Sequence, residues 1–266
     1  MSRRHMDTHD RSARKAKLTL AGLAVLAAAG LAGGGVAAYS LLGNDQSGQT
    51  QAGSSTTAKP APSGSASGKG GGAMTPEKGK KVPLSVPTGQ KDGVSTGFPH
   101  NYVGAISAAV YFWEEYAWLD DQKARQQLEA VVSPDATGYI DEQISEIRKG
   151  REAVNLPPSG GTPAGLTVTT TVNAVRVRTL ASSELPRGDV IHVWMNYDRY
   201  ATTPDKSTDD DPLKGEDTDF IVKWQDGAWK LTNEPTYWKQ RTYPVAYFPE
   251  SPYAWRDMWW QVRHED

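Results

Sequence analysis

The chain has 266 residues, no cysteine, 29 basic and 31 acidic residues, and a formal net charge of −2. The absence of cysteine excludes disulfides, thiol catalysis and cysteine-ligated zinc, so a folded region must be held by its core. Charge is uneven: residues 1–42 carry six basic and two acidic side chains, residues 43–94 carry six and three, and residues 95–266 carry 17 and 26. Such an acidic C-terminal region lacks the positive surface that binds phosphate backbones, and we expect no direct nucleic-acid binding.

An uncharged segment of 25 residues runs from Leu18 to Leu42. At about 1.5 Å per helical residue it is long enough to cross a hydrocarbon core roughly 30 Å thick. The segment also fits a signal peptide, with an apolar core ending at Leu31 and cleavage after the small residues that end at Ala38. It has no clean Ala-x-Ala cleavage site and stays apolar as far as Leu42, so we favour a retained transmembrane helix.

The flanking charges predict the orientation of this span. Six Lys and Arg residues crowd the basic tail at residues 1–17, whereas the next basic residue after the span is Lys59. The positive-inside rule therefore predicts a cytoplasmic N-terminus, a single pass through the cell membrane, and an extracytoplasmic remainder.

Small residues recur at every fourth position within the predicted span, at Gly30, Gly34 and Ala38. This spacing is typical of a face on which transmembrane helices pack closely, and the partner would be another copy of the chain or another membrane protein. A span rich in Ala and Gly also produces such spacings by chance, and both interpretations stay open.

Residues 43–94 contain no aromatic side chain and consist mainly of Gly, Ser, Thr, Ala, Pro and Lys. Such a composition cannot bury enough apolar surface to order itself, and it predicts a disordered linker. At ~5–6 Å × √n, about 52 flexible residues have a root-mean-square reach on the order of 40 Å. The sequence therefore predicts a tether between the membrane and a folded domain.

Helical periodicity begins after Phe98. The stretch "NYVGAISAAVYFWEEYAW" repeats apolar residues at three- and four-residue spacing, with Asn101 as a plausible N-cap. The stretches "DQKARQQLEAVV" and "PDATGYIDEQISEIRKG" predict a second and a third helix, the third ending at Gly150.

The period then changes from 3.6 to 2. In "LTVTTTVNAVRVRT" the alternation changes phase near Asn173 and Ala174, which predicts a β-bulge in a bent strand. The stretch "VIHVWMNYDRYAT" predicts another strand. In "DFIVKWQDGAWKLT" the Asp226-Gly227 pair predicts a two-residue hairpin turn that places Trp224 opposite Trp229. Helices followed by antiparallel strands predict the α+β class.

The resemblance to known families depends on these residues. Three helices followed by long bent strands and closed by "KWQDGAWKL" resemble the cystatin-like roll of the nuclear-transport-factor family. The whole layout, with its "GFPHNYVGAISAAVYF" helix opening, resembles the single-pass membrane proteins of actinobacterial conjugative elements. It is also similar to the TcpC-type and Vir-type scaffold components of conjugative type IV secretion systems. These scaffolds have no catalytic residues to carry over.

The resemblance implies three helices packed on a curved antiparallel sheet over residues 95–240, followed by an aromatic and proline-rich extension over residues 241–266. It also implies a non-enzymatic, membrane-tethered scaffold or accessory subunit of a conjugation or secretion assembly, which acts through protein contacts. The alternative is an exported ligand-binding or isomerase-like member of the same fold, because one fold hosts many functions.

The isomerase-like alternative has three candidate pocket residues, His192, Tyr197 and Asp198. His192 and Asp198 share one face of the predicted strand, and Tyr197 lies beside Asp198. Carboxylates and tyrosines inside such a cone support isomerase chemistry. The alternative interpretation is cross-strand polar pairing on the outer face of the sheet, which we favour, although His192 could instead point into the cone.

No cofactor or metal is expected from the remaining motifs. The segment from Asp205 to Asp219 holds six Asp and one Glu, but its spacing does not match a calcium-binding loop, and a solvated hairpin loop is favoured. The spacing of the nucleotide-binding P-loop, Gly-x-x-x-x-Gly-Lys-Ser/Thr, is absent, so we expect no nucleotide.

The C-terminal 31 residues hold nine aromatic side chains. Trp255, Met258, Trp259 and Val262 have helical spacing and form a candidate protein-docking strip. The favoured alternative is that this segment folds back over the open face of the roll. Both remain open here, with folding back expected for Tyr237 to Phe248 and docking more plausible beyond Pro252.

The retained anchor makes a prediction about topology. Because positive charge precedes the span, protease added to intact protoplasts is expected to remove everything after Leu42 and to spare the N-terminal tail. Immunoblotting with tags at the two ends measures this. A mature protein that starts near Tyr39 would contradict the anchor and establish a cleaved signal peptide.

Overall fold

A computed structural model describes residues 79–183, 189–202, 209, 212–242 and 259–264. The predicted tail at 1–17, the span at 18–42 with Gly30, Gly34 and Ala38, and most of the predicted tether lie outside these residues. Within the described part of the chain, no helix is both long enough and apolar enough to cross a membrane.

The described residues form an α+β domain of four helices and eight strands. In chain order these are β1 (Lys81–Pro83), β2 (Gly89–Lys91), β3 (Val94–Thr96), α1 (Tyr102–Glu115), α2 (Asp121–Val131), α3 (Tyr139–Ala153), β4 (Thr167–Ala181), β5 (Val190–Thr202), β6 (Leu213–Gln225), β7 (Ala228–Leu231), α4 (Pro235–Trp238) and β8 (Trp260–Arg263).

The main sheet has six strands in the order β1-β8-β4-β5-β6-β7. Strands β4 to β7 form a long antiparallel meander, and β8 pairs antiparallel with β4 and parallel with β1. Strands β2 and β3 form a separate hairpin. Helix α1 packs on β4 and β5. We call the sheet face that meets α1 the inner face and the opposite face the outer face.

The start of α1 follows the sequence prediction. The side chain of Asn101 accepts a hydrogen bond from the backbone N–H of Gly104 at 2.8 Å, which caps one free donor of the first turn. Gly104 is required because a Cβ there would lie 1.9 Å from the carbonyl oxygen of Pro99. That same carbonyl accepts a hydrogen bond from the Trp229 indole at 2.9 Å. The close approach therefore joins the start of α1 to the last strand of the meander.

A β-bulge bends β4 where the sequence predicted it. The register with β5 shifts between Val172 and Ala174, so Val172 and Val175 both face the core despite their opposite parity. The Glu114 carboxylate of α1 accepts the backbone N–H of Val172 at 2.8 Å and also pairs with His264. The bulge therefore connects α1, β4 and the end of β8.

The predicted hairpin is confirmed between β6 and β7. Trp224 lies opposite Trp229, and the turn residues Asp226 and Gly227 have positive φ angles of 52° and 76°, as a type I′ turn requires. The two indoles make an edge-to-face contact with ring centroids 5.3 Å apart. Trp229 is buried and Trp224 is half-buried, so only one ring belongs fully to the core.

The predicted tether is too long at its C-terminal end. Residues 81–94 include strands β1 and β2 and the start of β3, and Val82, Leu84 and Val94 are buried in the same core as α1. Three-residue strands are too short for periodicity to detect, and the Gly, Lys and Pro around them suggest a linker. Helix α3 likewise continues past the predicted stop at Gly150 to Ala153, because Gly150 is buried inside the helix.

The docking-strip interpretation is wrong for Trp259 and Val262. Trp259 is 1 % exposed and packs against Ala174 and Trp194 on the outer face. Val262 lies in β8, opposite Val82 of β1, and is half-buried against the core. A strand rather than a helix forms here, because β4 and β1 both offer backbone hydrogen bonds. Trp255 and Met258 lie outside the described residues.

Strand β8 makes a prediction about the C-terminus. Truncation of the full chain after Phe248 removes β8 and Trp259, which separates β1 from β4 and uncovers Trp194. Each large side chain lost from the core costs about 1.5–3 kcal/mol, so we expect the melting temperature in detergent to fall by about 10 °C. Truncation after His264 is the matched control and should leave it unchanged. Equal melting temperatures for both truncations would contradict the β8 assignment.

Candidate functional site

Three ionisable side chains meet on the outer face of the sheet, at His192 of β5, Asp219 of β6 and Arg241 after α4. The His192 ring nitrogen Nε2 lies 2.6 Å from Asp219 Oδ2. Arg241 donates from Nε and Nη2 to the two carboxylate oxygens of Asp219, at 2.8 and 2.6 Å. The bidentate contact is the strong form of a guanidinium–carboxylate pair. We call these three residues the outer-face triad.

Burial sets the charge states of the outer-face triad. Burial raises the pKa of Asp219, but the hydrogen bonds from His192 and Arg241 outweigh it and hold that pKa below its usual value. Burial also lowers the pKa of His192, against the opposing hydrogen bond to Asp219. A neutral His192 therefore donates Nε2–H to an ionised Asp219, and Arg241 supplies the countercharge. Nδ1 of His192 has no hydrogen-bond partner among the described residues, so none of them accepts the second proton that an imidazolium would carry.

Residues 240–242 are held against the outer face by hydrogen bonds from two strand residues, and we call this short segment the clamp. The Trp194 indole donates to the Thr242 carbonyl at 2.9 Å, and Arg178 lies 3.4 Å from both the Gln240 carbonyl and the Thr242 hydroxyl. The His192 ring lies 3.9 Å from the Trp194 ring. His192 is 0 % exposed. The outer-face triad therefore holds the C-terminal segment on the sheet and does not face an open pocket.

The inner face carries a different polar group, Arg199 of β5. Its guanidinium lies over the rings of Trp113, Trp118 and Tyr197, at 4.6, 4.8 and 5.2 Å from their centroids. Nε donates to the Thr170 hydroxyl at 2.8 Å. Aromatic faces attract a cation, but they carry no net charge to neutralise it. We call this group, with Tyr116 beside it, the arginine cage.

The arginine cage contains hydrogen-bond donors without acceptors. Nη2 of Arg199, Nε1 of Trp113 and the hydroxyl of Tyr116 are all buried and have no hydrogen-bond partner among the residues that the structure describes. Burial lowers the pKa of Arg199 to about 10 and raises the pKa of Tyr116. Both groups therefore keep their protons at neutral pH. No carboxylate pairs with Arg199 in the described part of the chain.

Sequence reasoning missed Arg199, although the strand pattern contained the signal. The alternation Ile191, Val193, Met195, Tyr197 continues through Arg199 to Ala201, and all of these positions are buried. An arginine in phase with a fully apolar strand face is either buried or at the end of the strand. Ala201, the one β5 residue of that parity after Arg199, is again apolar and buried, so the pattern indicated a buried position for Arg199.

A polar groove of about 710 Å³ lies beside the bulge of β4. Asn173, Asn196 and Asp198 line it, and the Asp198 carboxylate accepts the backbone N–H of Gly215 at 2.8 Å. Its remaining charged lining comes from three strands and the residue after β8: Lys81, Lys214, Arg263 and His264. None of Lys81, Lys214 and Arg263 forms an ion pair with another described side chain. We call this feature the basic groove.

The three predicted pocket residues do not form one pocket. Tyr197 faces inward and packs edge-to-face on Trp113 with ring centroids 5.2 Å apart. His192 faces outward, so the prediction that it could enter the cone is wrong, and cross-strand pairing with Asp219 on the outer face is confirmed. Asp198 also faces outward, but six residues of strand place it roughly 20 Å from His192.

Comparisons with known proteins add no family to this geometry, since no family model, no curated protein and no solved structure matches the chain. Among the described residues, no group of three or more His, Asp or Glu side chains could hold a metal ion. Of the predicted acidic loop at residues 205–219, residues 205–208, 210 and 211 lie outside those residues. The loop prediction is wrong for residues 213–219, which belong to β6 and pair with β5. The candidate functional features are therefore the arginine cage and the basic groove.

The outer-face triad predicts a pH dependence of stability. The folded pKa of His192 lies below its unfolded value of about 6.5, so its contribution is complete above pH 6.5 and is lost as the pH falls. The His192→Gln variant should therefore lose less unfolding free energy than the wild type between pH 7 and 5. The difference can reach at most about 1.4 kcal/mol per pH unit, measured by urea unfolding.

His264 provides a control, because its contribution to stability changes with pH in the opposite direction. Its hydrogen bond to Glu114 raises its pKa, so its contribution is present below pH 6.5 and is lost as the pH rises through the folded pKa. The His264→Gln variant should make the acid loss steeper. If the His192→Gln variant shows the same slope as the wild type, His192 is not buried as a neutral ring.

Proposed function

We propose that this protein is a non-enzymatic, membrane-tethered scaffold or accessory subunit of a conjugation or type IV secretion-like assembly. In this proposal the span at 18–42 anchors the chain, and the α+β domain contacts partner proteins outside the cytoplasm. The family resemblance given above is the source of the class. The packing of the domain is the observation that supports a scaffold over an enzyme.

The interior of the domain is filled by its own side chains. Trp113, Met195 and Tyr197 are at most 2 % exposed between α1 and the inner face. A cavity of about 40 Å³ between α1 and β7, lined by Phe112 and Trp229 among others, is close to the size of one water molecule. Ligand pockets usually measure about 300–1,000 Å³, so this cavity offers no room for a substrate of that size.

The isomerase-like alternative required His192, Tyr197 and Asp198 to share a cavity. Their positions on two faces of β5, with His192 covered by the clamp, remove the arrangement on which that alternative depended. A general acid or base must lie within hydrogen-bonding reach of the group that it serves. The placement of these residues therefore favours the scaffold proposal.

The basic groove is the contact surface that we assign to this function. Lys81, Lys214 and Arg263 project around amide groups on an otherwise acidic domain. Complementary charge steers association and fixes the register of an interface. An acidic segment of a partner protein has the complementary charge, and the amides of Asn173 and Asn196 offer it hydrogen-bonding groups.

Gene deletion and complementation in the producing strain test the function. Deletion should reduce plasmid or element transfer at least about 100-fold, and the wild-type full chain should restore it. The paired variant Lys214→Glu/Arg263→Glu should fail to restore transfer, because it reverses the charge of the groove. Crosslinking in cells followed by affinity purification should lose the transfer-assembly subunits in the same variant.

The matched control is Lys91→Glu/Lys123→Glu, which reverses two exposed charges that likewise form no ion pair with another described side chain. It should restore transfer like the wild type. Unchanged transfer after deletion would contradict the scaffold proposal. If both paired variants fail to restore transfer to the same extent, the groove is not the contact surface of the scaffold.

A further inference from the structure

The charge of Arg199 is unusual because it is buried without an opposite charge. The residue is 4 % exposed, and its one hydrogen bond to a described residue goes to the neutral hydroxyl of Thr170. Moving an ion from water into a protein interior costs several kcal/mol unless another charge or several hydrogen bonds compensate. Three aromatic faces compensate part of this cost, but they carry no net negative charge to neutralise the guanidinium.

The missing group in the arginine cage is an acceptor of hydrogen bonds. Trp113 Nε1–H and Arg199 Nη2–H can only donate hydrogen bonds, and the Tyr116 hydroxyl can donate or accept one. Their side chains belong to one cluster, because the Arg199 guanidinium lies 4.6 Å from the Trp113 ring centroid and the Trp113 and Tyr116 rings are 6.4 Å apart. Buried polar groups in proteins are almost always paired, and these three, which lie beside one cation, have no hydrogen-bond partner among the described residues.

We propose that Arg199, Trp113 and Tyr116 bind a small monovalent anion inside the domain. Its negative charge neutralises the guanidinium, and its lone pairs accept the three unpaired donors. Formate and chloride share this chemistry, since each carries one negative charge and accepts several hydrogen bonds. The residue is almost fully enclosed, so a bulky anion is excluded.

The choice of an anion over a water molecule follows from charge. A water molecule has two lone pairs and brings two further hydrogens, which themselves need acceptors. It also leaves the buried positive charge in place, whereas the interaction of opposite charges is strongest in a low-dielectric interior. Trp118, which covers the guanidinium, is half-buried and joins the arginine cage to the protein surface.

This inference is independent of the proposed scaffold function. It concerns the inner face of β5, whereas the contact surface assigned to partner proteins lies on the outer face beside the bulge of β4. Loss of transfer without anion binding, or anion binding without transfer, therefore separates the two proposals.

Thermal unfolding of the purified full chain in detergent tests the anion site. Sodium formate and sodium chloride are each titrated against sodium gluconate at constant ionic strength, since gluconate is too large to enter. A bound anion stabilises the folded state in proportion to ln(1 + [L]/Kd). We expect the melting temperature to rise with formate or chloride, and tryptophan fluorescence to change over the same concentrations, because Trp113 and Trp118 adjoin the site. The more effective of the two anions identifies the preferred ligand.

Two variants and one control test which residues bind the anion. Arg199→Met keeps the volume of the side chain, removes the charge, and should abolish the anion-dependent rise. Tyr116→Phe removes one donor with little change in packing and should raise the Kd about tenfold, since a hydrogen bond to a charged group is worth about 1.5–3 kcal/mol. Arg125→Met removes an exposed arginine and should respond like the wild type.

The results that would overturn the site are specific. If formate and chloride give the same melting temperature as gluconate in the wild type, no anion binds. If Arg199→Met and the wild type gain the same stabilisation, the anion binds elsewhere. Tyr116→Phe decides the question if Arg199→Met does not fold, because an unchanged Kd in this variant would contradict the arginine cage as the binding site.

Discussion

Burial of β5 on both faces is the constraint on which the rest of the domain depends. All eight residues from Val190 to Tyr197 are buried. Because successive side chains of a strand point to opposite faces, each face needs its own cover. Helix α1 covers the inner face. The outer face is covered by residues that follow α4 and by Trp259, so the C-terminal part of the chain has to return to the sheet.

The polar residues on the two faces of β5 have different kinds of partner. On the outer face, His192 receives a carboxylate from β6 and, through it, an arginine from the C-terminal segment, so its polar contacts are nearly complete. On the inner face, Arg199 receives aromatic rings and one hydroxyl, and no described carboxylate pairs with it. The first arrangement fixes a segment of chain, and the second is the site to which we assign an anion.

The bulge in β4 links the architecture to the proposed contact surface. It bends the strand, releases the backbone N–H of Val172 to Glu114, and lies next to the short pairing of β4 with β8. Asn173, the extra residue of the bulge, lines the basic groove. A core packed with its own side chains and a groove formed by a strand irregularity together favour a domain that works through its surface.

The sequence by itself determined what depends on neighbouring residues: the Asn101 cap, the bulge at Asn173, and the Asp226-Gly227 turn, because each is set by local backbone geometry and by periodicity. The order of helical and strand periodicity also predicted the α+β class. Only the tertiary structure decided features whose partners are far apart in the chain. Strand β1 exists because β8 pairs with it, and His192 is outward because α1 takes the other face. Among the described residues, the elements around Arg199 bring aromatic rings and one hydroxyl but no carboxylate. Short strands have no period to read, and the partners of a buried charge are decided by distant contacts.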